Sequence, residues 1–318
     1  MEEIKGAKAK AISYAKTIDE KARAQIARMC DYDFTVGSKI RIMPDVHAGT
    51  GCVCGFTADL GDKGQKTARR NDMKTSKFEE VFKSRKPVIG MLHLRGESPS
   101  EVVDIARSET EIMYGAGVAA VLVEDYFGDK TDVENTLKML QQEFAGCVYG
   151  VNVLSSFTRS YDLALAYGAK FMQTDSICGH LWPREEPEFE QMVAENRKKG
   201  DLFVLGGVRF KYQPVLSGRS LAEDLDRGRR LCDAIVVTGD GTGIDTGMQK
   251  ISEFRRLLGD FPLIVGAGLT AETCAEQLRI ADGGIVGSYF KEDGTARKPM
   301  DRERVKRFMN AVRAVSGI

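Results

Sequence analysis

Two short stretches near the C-terminal end of the chain, IVGAGLTAETC (264–274) and GGIVGSYF (283–290), combine the features of an anion site. Each begins with apolar residues typical of a buried strand and then breaks at glycine. Backbone N–H groups that no side chain covers can approach a phosphate, and a helix that starts next, capped by Thr270, adds partial positive charge. The alternative is that these glycines are ordinary turn residues. The residues predicted to hold a phosphate here are Gly266, Gly268, Gly287 and Ser288.

Two further phosphate contacts are predicted from other segments. The stretch TGDGTGID (238–245) has glycines spaced like a phosphate loop, but it lacks the full nucleotide-binding fingerprints. We therefore interpret it as an active-face loop in which Thr242 contacts the ligand. Arg209 follows another apolar run, and its guanidinium favours an anionic ligand.

Ionisable and amide side chains stand where other apolar runs end. Carboxylates that converge with a lysine can act as general acid and general base, or hold a divalent cation such as Mg²⁺ beside a phosphate. The alternative for each of them is a helix cap or an ion pair at the rim. Lys211 could instead form a Schiff base with a carbonyl substrate. The predicted catalytic residues are Glu124, Asp175, Asp240 and Lys211, and His93 and Asn152 are predicted on the same face.

A metal centre elsewhere in the chain has little support. His47, Cys52 and Cys54 lie close together in sequence, but their spacing matches no common zinc pattern and a fourth ligand is not evident. Core packing explains two cysteines on one face of a strand equally well. We therefore predict no metal ligands and no cofactor apart from the divalent cation considered above.

Apolar, β-branched runs recur from residue 87 onward, and the elements that they predict would position all of these side chains. The runs begin near residues 87, 118, 148, 169, 201, 233, 262 and 283, and capped or amphipathic segments separate them. Continuous hydrophobicity is typical of parallel strands covered on both faces. Eight strand–helix units predict an α/β fold, the (β/α)8 or TIM barrel, in which the carboxyl ends of all strands open on one face. The alternative is a doubly wound open sheet, which normally has fewer strands.

The predicted domain organisation has three parts. Residues 78–318 form the barrel, and SKFEEVF (76–82) predicts a short capped helix that closes its N-terminal mouth. Residues 64–77 are polar, basic and aperiodic, as in a linker or an exposed loop. Residues 1–63 indicate a helix, a strand, a glycine-rich loop and a second strand. This small N-terminal α/β extension is short for an independent domain.

Composition and charge exclude several classes of protein. The chain has 46 Lys+Arg and 46 Asp+Glu residues, so it lacks the net positive charge expected of a general nucleic-acid binder. No apolar run is long enough to span a membrane, and the charged N-terminus, MEEIKGAKAK, does not have the pattern of a signal peptide. Seven scattered cysteines fit reduced thiols better than a disulfide framework. We therefore expect a cytoplasmic protein without a membrane span, and nucleic acid is not among its expected main partners.

The barrel segment, roughly residues 78–315, resembles the BtpA family, which is named for a photosystem I biogenesis factor and includes SgcQ-like proteins of bacterial sugar operons. The motifs that carry the resemblance are KPVIGMLHL, GVAAVLVEDYFGD, YGVNVL, DAIVVTGDGTG, PLIVGAGLT, ADGGIVGSYFKEDG and VKRFMNAVR. The resemblance implies a TIM barrel akin to phosphate-binding barrels, without a settled reaction. This chain departs from the family where its fifth strand ends in Gly207-Val208-Arg209, because an Asp-Val-His-like ending is expected there; Lys211 is retained.

The first 63 residues resemble the N-terminus of RtcB-type RNA-splicing ligases. The resemblance rests on IKGAKAKAISYAKTIDEKARAQI and especially on GSKIRIMPDVHAGTGCVCGFT. In those ligases the next block begins the metal site, whereas this chain continues with GDKGQKTARRNDMK and has no histidine-rich remainder. The resemblance therefore implies a fused fragment that serves as a folding or interface module, and not an active RNA ligase.

Three functions follow from these observations. The first is a TIM-barrel enzyme, a lyase, isomerase or hydrolase, that acts on a small phosphorylated metabolite such as a sugar phosphate or a nucleotide-like compound. The second is a non-catalytic assembly factor, as the photosystem-linked family name implies, which binds a protein partner. The third, an RNA-processing accessory protein, rests on the ligase-like fragment alone. The N-terminal segment is also a candidate surface for pairing two copies of the chain.

Overall fold

The computed structural model describes residues 2–31, 35, 38–48, 54–59, 76–154 and 156–316. The chain divides into two compact units, Met1–Lys74 and Thr75–Ile318. Positions 64–75 of the predicted linker lie outside the described residues. The last two positions of that linker, Ser76 and Lys77, belong instead to a capped helix.

The described residues of the first unit form four strands and one α-helix. The sheet has the order β1-β2-β3-β4, in which β2 and β3 are parallel and the outer pairs are antiparallel. The helix α1 begins after Asp19, whose carboxylate accepts a hydrogen bond from the N–H of Ala22. Ala22 and Ile26 are buried in a small apolar core with Ile40 and Ile42. The elements are β1 (Glu2–Lys5), β2 (Lys10–Ser13), α1 (Glu20–Met29), β3 (Lys39–His47) and β4 (Cys54–Asp59).

The second unit is a closed barrel of eight parallel strands, which confirms the predicted (β/α)8 TIM fold. Each strand pairs with the next along the chain, and β12 pairs with β5 to close the ring. Its strands are β5 (Val88–His93), β6 (Ala120–Glu124), β7 (Tyr149–Asn152), β8 (Phe171–Cys178), β9 (Phe203–Val208), β10 (Ala234–Val237), β11 (Leu263–Val265) and β12 (Gly283–Val286). Its helices are α2 (Lys77–Phe82), α3 (Pro99–Ala116), α4 (Lys130–Glu143), α5 (Phe157–Ala166), α6 (Glu186–Arg197), α7 (Leu221–Leu231), α8 (Met248–Leu258), α9 (Cys274–Ile280) and α10 (Arg302–Ser316).

Both faces of the barrel strands are buried, which explains their continuous apolar runs. In β6, Ala120 and Leu122 belong to the apolar cluster of the barrel interior, whereas Val121 and Val123 belong to the cluster between the sheet and the helices. Because successive side chains of a strand point to opposite faces, Glu124 continues the inward-facing series. The alternation therefore directs the last residue of β6 into the barrel.

The short helix α2 packs against the amino ends of two strands. Its N-cap is Ser76, whose hydroxyl accepts a hydrogen bond from the N–H of Glu79. The ring of Phe82 lies 5.1 Å from that of Phe171 and 5.7 Å from that of Phe203. Since these two residues begin β8 and β9, α2 covers the end of the barrel opposite to the carboxyl ends of the strands.

The outer helices bury single apolar stripes, as their sequences predict. In α10, Val305, Phe308, Met309 and Val312 are all buried. In the part of the chain that the structure describes, every helix is too short or too polar to cross a bilayer.

Candidate active site

A cavity of about 390 Å³ opens at the carboxyl ends of the barrel strands. Residues at the ends of all eight strands or in the segments that follow them line it. A volume in this range holds a small metabolite. Most of the site residues predicted from sequence line this cavity. Asn152 does not line it but is hydrogen-bonded to two residues that do, and two others, described below, lie elsewhere.

Three of the predicted polar residues lie side by side because of the strand register. His93 is the Cα partner of Glu124, and Glu124 is the Cα partner of Asn152, so the three form one row across β5, β6 and β7. All three side chains are buried. A row at the strand ends allows neighbouring side chains to meet, and Nδ2 of Asn152 donates a 2.9 Å hydrogen bond to Oε1 of Glu124.

The same amide also holds a second carboxyl group. Nδ2 of Asn152 lies 3.1 Å from Oδ1 of Asp175, and Nε2 of Gln173 lies 3.4 Å from the same oxygen. An amide nitrogen carries two protons, so Asn152 can donate to Glu124 and to Asp175 together. Asn152 therefore fixes two carboxyl groups relative to each other.

Burial gives these two carboxyl groups higher pKa values than exposed carboxyl groups have. Removal from water, reinforced by the negative charge of Asp175, raises the pKa of Glu124 to about 8. Burial also raises the pKa of Asp175, while the hydrogen bond from Asn152 and the positive charge of Lys211 oppose that shift. At neutral pH Glu124 therefore carries a proton, and Asp175 has the more favourable surroundings for its charge.

His93 is kept neutral by its surroundings. Burial, together with the positive charges of Lys291 and Lys211, lowers the pKa of His93 to about 3. Nε2 of His93 lies 3.6 Å from Oε2 of Glu124, so at neutral pH this is a contact between an uncharged imidazole and a protonated carboxyl group. Among the described residues, Nδ1 of His93 has no hydrogen-bond partner.

The predicted glycines form the opposite wall, and their missing side chains mainly permit close packing. A Cβ on Gly287 would lie 2.7 Å from Cε1 of His93, and one on Gly268 would lie 2.3 Å from the carbonyl oxygen of Ile244. Gly268 also has a φ of +73°, which side chains rarely adopt. The N–H of Gly266 already donates to the carbonyl oxygen of Val237. The glycine-lined wall is thus a tightly packed backbone surface.

The segment after β11 differs from the prediction. The next helix, α9, begins at Cys274 and not directly after Thr270. Thr270 instead exchanges hydrogen bonds with Thr273, since the N–H of each lies within 3.3 Å of the hydroxyl of the other. Thr270 therefore lines the cavity without capping a helix, because a turn separates it from α9.

Ser288 and Thr242 lie in the cavity wall, as predicted. Ser288 begins a short 3-10 helix, Ser288–Phe290, directly after β12. A Cβ on Gly243 would lie 3.9 Å from Oγ of Ser288, so the loop that contains Thr242 comes close to the segment after β12. The two loops form one continuous part of the wall.

Two cationic side chains line the cavity. Lys211, predicted from sequence, follows β9, and its backbone N–H donates to the hydroxyl of Thr238. Arg304 lies beside the apolar stripe of α10, and no motif in the sequence marks it as a site residue. Its Nε donates to the carbonyl oxygen of Tyr289, and its guanidinium lies over the Tyr289 ring at 4.5 Å. Arg304 therefore supplies positive charge beside the segment after β12.

Two predicted site residues are not brought into this cavity. Nε of Arg209 donates to Asp224 at 3.0 Å, and its terminal nitrogen donates to the carbonyl oxygen of Arg219. Arg209 has a φ of +49°, and its side chain is engaged in this ion-pair network away from the cavity. Asp240 is exposed in a loop three residues beyond the end of β10 and does not line the cavity.

The described residues contain no cluster of three or more His, Cys, Asp or Glu side chains arranged to hold a metal ion. Of the carboxyl groups considered for a divalent cation, Glu124 and Asp175 line the cavity and Asp240 does not. For the zinc alternative, Cys52 and the side chain of Cys54 lie outside the described residues.

The fold and the cavity define a (β/α)8-barrel protein with a pocket at the carboxyl ends of its strands. Both polar and apolar side chains line this pocket. A family model described as the BtpA family matches residues 84–314. The chain therefore belongs to the BtpA family. Residues 1–63 lie outside this match, so their resemblance to RNA ligases stays a prediction.

The match to this chain covers almost the whole length of several relatives. An uncharacterised protein of Methanocaldococcus jannaschii is 27% identical over 72% of this chain and 96% of its own. The photosystem I biogenesis protein BtpA of Synechocystis is 24% identical, over 73% of this chain and 90% of its own. The sgc region protein SgcQ of Escherichia coli is 26% identical, over 74% and 97%.

Solved structures agree on the fold. The structure described as "Native KDPGal structure" is 16% identical with a TM-score of 0.52, and the match covers 74% of this chain and 98% of that one. A designed porous protein cage is 17% identical with a TM-score of 0.54, and the match covers 74% of each chain. At these identities the likeness concerns the barrel fold alone.

Proposed function

We propose that this BtpA-family protein is an enzyme that transfers protons on a small phosphorylated metabolite, as an isomerase or a lyase does. The observation that supports the proposal most strongly is the pair formed by Glu124 and Asp175 on the amide of Asn152. Two buried carboxyl groups with unequal surroundings inside one cavity are a usual arrangement for a general acid and a general base. A hydrolase would use the same pair with water as the nucleophile.

The two carboxyl groups take different roles. Glu124 holds its proton at neutral pH and can donate it to a carbonyl or leaving-group oxygen. Asp175 accepts hydrogen bonds from Asn152 and Gln173, which favour its ionised form, so it is the base that removes a proton from the substrate. Asn152 is the positioning residue for both.

Lys211 is assigned an electrostatic role. Its charge acts on both Glu124 and Asp175, so it lies where negative charge would develop on a substrate oxygen. The alternative is a Schiff base between Lys211 and a carbonyl substrate. Borohydride reduction in the presence of a ligand that binds separates the two, because a Schiff base would leave the substrate covalently attached to Lys211.

The phosphoryl group is assigned to the wall opposite the carboxyl groups. That wall contains the backbone around Gly268 and Gly287, the hydroxyls of Ser288 and Thr242, and the guanidinium of Arg304. Hydroxyl and guanidinium donors bind phosphate well, whereas the carboxyl side of the cavity would repel it. This division orients the reactive carbon of the substrate toward Asp175.

A second candidate function is protein assembly. It is favoured by the similarity to a relative named as a photosystem I biogenesis protein. In this case the N-terminal unit, with its ligase-like sequence, would bind a protein partner or a second copy of the chain. Removal of residues 1–63 separates the two functions, since an enzyme keeps ligand binding in the barrel and an assembly factor loses its partner. Salt-dependent RNA binding by the intact chain would favour the third, RNA-related candidate.

The enzymatic proposal is tested in two stages. A panel of sugar phosphates and their unphosphorylated counterparts is screened by thermal unfolding, and we expect phosphorylated members alone to raise the melting temperature. Ser288→Asp should abolish that shift, whereas Ser252→Asp, on the exposed face of α8, should not.

Ligands that bind are then incubated with the protein in D2O, and mass spectrometry measures deuterium gained at carbon. The intact chain should catalyse the exchange, and Asp175→Asn should slow it by about 10² to 10⁴, the usual contribution of a general base. The proposal fails if no phosphorylated ligand binds, or if Asp175→Asn exchanges at the same rate.

A further inference from the structure

The mouth of the cavity carries an aromatic ring that packing does not explain. Tyr212 lines the cavity, yet 70% of its surface is exposed. It also has a φ of +62°, a backbone conformation that is costly for a residue with a bulky side chain. A tyrosine held in a strained conformation at the edge of a pocket is a candidate for direct contact with a ligand.

The ring is held in place through its hydroxyl group. The backbone N–H of Thr242 donates a 2.7 Å hydrogen bond to Oη of Tyr212, which joins the loop after β9 to the loop after β10. A Cβ on Gly241 would lie 3.0 Å from the same Oη and 2.9 Å from Cδ1 of Ile244. Glycine at this position therefore lets the tyrosine hydroxyl and Ile244 approach each other.

The ring of Tyr212 and the side chain of Ile244 form an apolar surface at the mouth of the cavity. Ile244 is 53% exposed and lies on the same loop as Thr242. The hydroxyl of Tyr212 is held at the loop by the bond from Thr242, while 70% of the surface of the residue is exposed. Apolar surface of this kind at the mouth of a polar cavity fits a ligand that has a polar part and a flat apolar part.

The position of the Tyr212 ring relative to Ser288, where the phosphate is proposed to bind, limits the size of that ligand. The N–H of Thr242 donates to the tyrosine hydroxyl, and a Cβ on the next residue, Gly243, would lie 3.9 Å from Oγ of Ser288. The aromatic surface and the Ser288 hydroxyl are thus separated by the width of one loop. A sugar is a spacer of suitable size between a phosphate at Ser288 and a flat group at Tyr212.

We propose that Tyr212 is a stacking surface for an aromatic base, so that the substrate belongs to the nucleoside 5′-phosphates and not to the simple sugar phosphates. This inference rests on the proposed function, because it places the phosphate of the ligand at Ser288. The base stacks on the ring of Tyr212, with one edge against Ile244, while the sugar extends into the cavity toward the carboxyl groups.

The test compares ligands that differ by the base. Isothermal titration calorimetry measures the affinity of the full-length protein for ribose 5-phosphate, for AMP and for UMP, and the readout is the ratio of affinities with and without the base. Stacking on an aromatic side chain contributes enough to predict at least about tenfold tighter binding of AMP than of ribose 5-phosphate. Tyr212→Ala should reduce that ratio to within about twofold of unity, and Tyr212→Phe, which keeps the ring, should retain most of it.

Trp182→Ala serves as the matched control, because Trp182 is an exposed aromatic residue that does not line the cavity. It should leave the ratio unchanged. Equal affinities for AMP and ribose 5-phosphate, or a ratio that survives Tyr212→Ala, would overturn this inference and leave the proposed enzyme intact. Failure of all three ligands to bind would overturn this inference, whereas the proposed enzyme fails only if no phosphorylated member of the panel binds.

Discussion

Nε2 of His93 lies 3.6 Å from Oε2 of Glu124, and both side chains are buried at the end of the barrel. A histidine and a glutamate at this distance usually form an ion pair. Here burial and the surrounding charges lower the pKa of His93 to about 3 and raise that of Glu124 to about 8. At neutral pH the proton therefore stays on Glu124, and the pair is uncharged.

The raised pKa of Glu124 predicts a loss of stability at high pH. The unfolded chain releases this proton near the ordinary value of 4.5, whereas the folded chain holds it to about 8. Between these values the folded state binds more protons, so the free energy of unfolding falls as the pH rises, by roughly 5 kcal/mol in all. Glu124→Gln removes this penalty, and its stability relative to the intact protein should be greater at pH 9 than at pH 5.

Urea unfolding followed by the fluorescence of Trp182, the single tryptophan of the chain, measures this difference. Glu111→Gln, on an exposed position of α3, is the matched control and should show no such dependence. An equal effect of Glu124→Gln at both pH values would show that Glu124 titrates normally.

The lowered pKa of His93 predicts the opposite behaviour in acid. The unfolded chain takes up a proton near 6.5, but the folded chain resists it down to about 3. Stability is therefore lost as the pH falls from about 6.5 toward 3. His93→Gln should lose less stability than the intact protein between pH 7 and pH 4, whereas His47→Gln, at an exposed position of β3, should follow the intact protein. Parallel pH curves for His93→Gln and the intact protein would contradict the prediction.

The bridging role of Asn152 predicts a large effect of removing its amide. Asn152→Ala leaves two buried carboxyl groups without their shared donor, which should lower the free energy of unfolding by about 2 to 4 kcal/mol. Asn310→Ala, at an exposed position of α10, should cost less than about 0.5 kcal/mol. Chemical denaturation at pH 7 measures both, and similar values for the two variants would show that Asn152 does not hold the pair.

Two glycines provide a matched test of whether the glycine-lined wall of the cavity is tightly packed. Gly268 has a φ of +73°, and a Cβ there would lie 2.3 Å from the carbonyl oxygen of Ile244, so Gly268→Ala should cost about 2 kcal/mol or more. Gly247 precedes α8 with a φ of −54°, and a Cβ there would meet no atom within 4 Å. Gly247→Ala should therefore change the free energy of unfolding by less than about 1 kcal/mol. Comparable losses in both variants would contradict the assignment of Gly268 to close packing.

The sequence predicts the fold because buried parallel strands need continuous apolar runs, and eight such runs are visible. The sequence also puts His93, Glu124 and Asp175 after apolar runs, and all three line the cavity because parallel strands end on one face. These predictions need only the period of a strand and the fact that parallel strands end on one face.

The sequence does not predict how side chains behave after the strands end. Arg209 forms an ion pair with Asp224, fifteen residues further along the chain. Its backbone has a positive φ, which cannot be foreseen from an arginine in the sequence. Asp240 lies beyond the true end of β10 at Val237, and Arg304 reaches the cavity from the polar face of α10. The positions of these side chains depend on packing between distant parts of the chain, and local sequence patterns do not predict such packing.

The most direct test of the proposed enzyme is a crystal structure with ribose 5-phosphate bound. We predict the phosphoryl group within hydrogen-bond distance of the Ser288 hydroxyl and near the guanidinium of Arg304, with the sugar carbons directed toward Asp175. A phosphoryl group bound outside the cavity, or lying beside Glu124 with the Ser288 wall empty, would contradict the account.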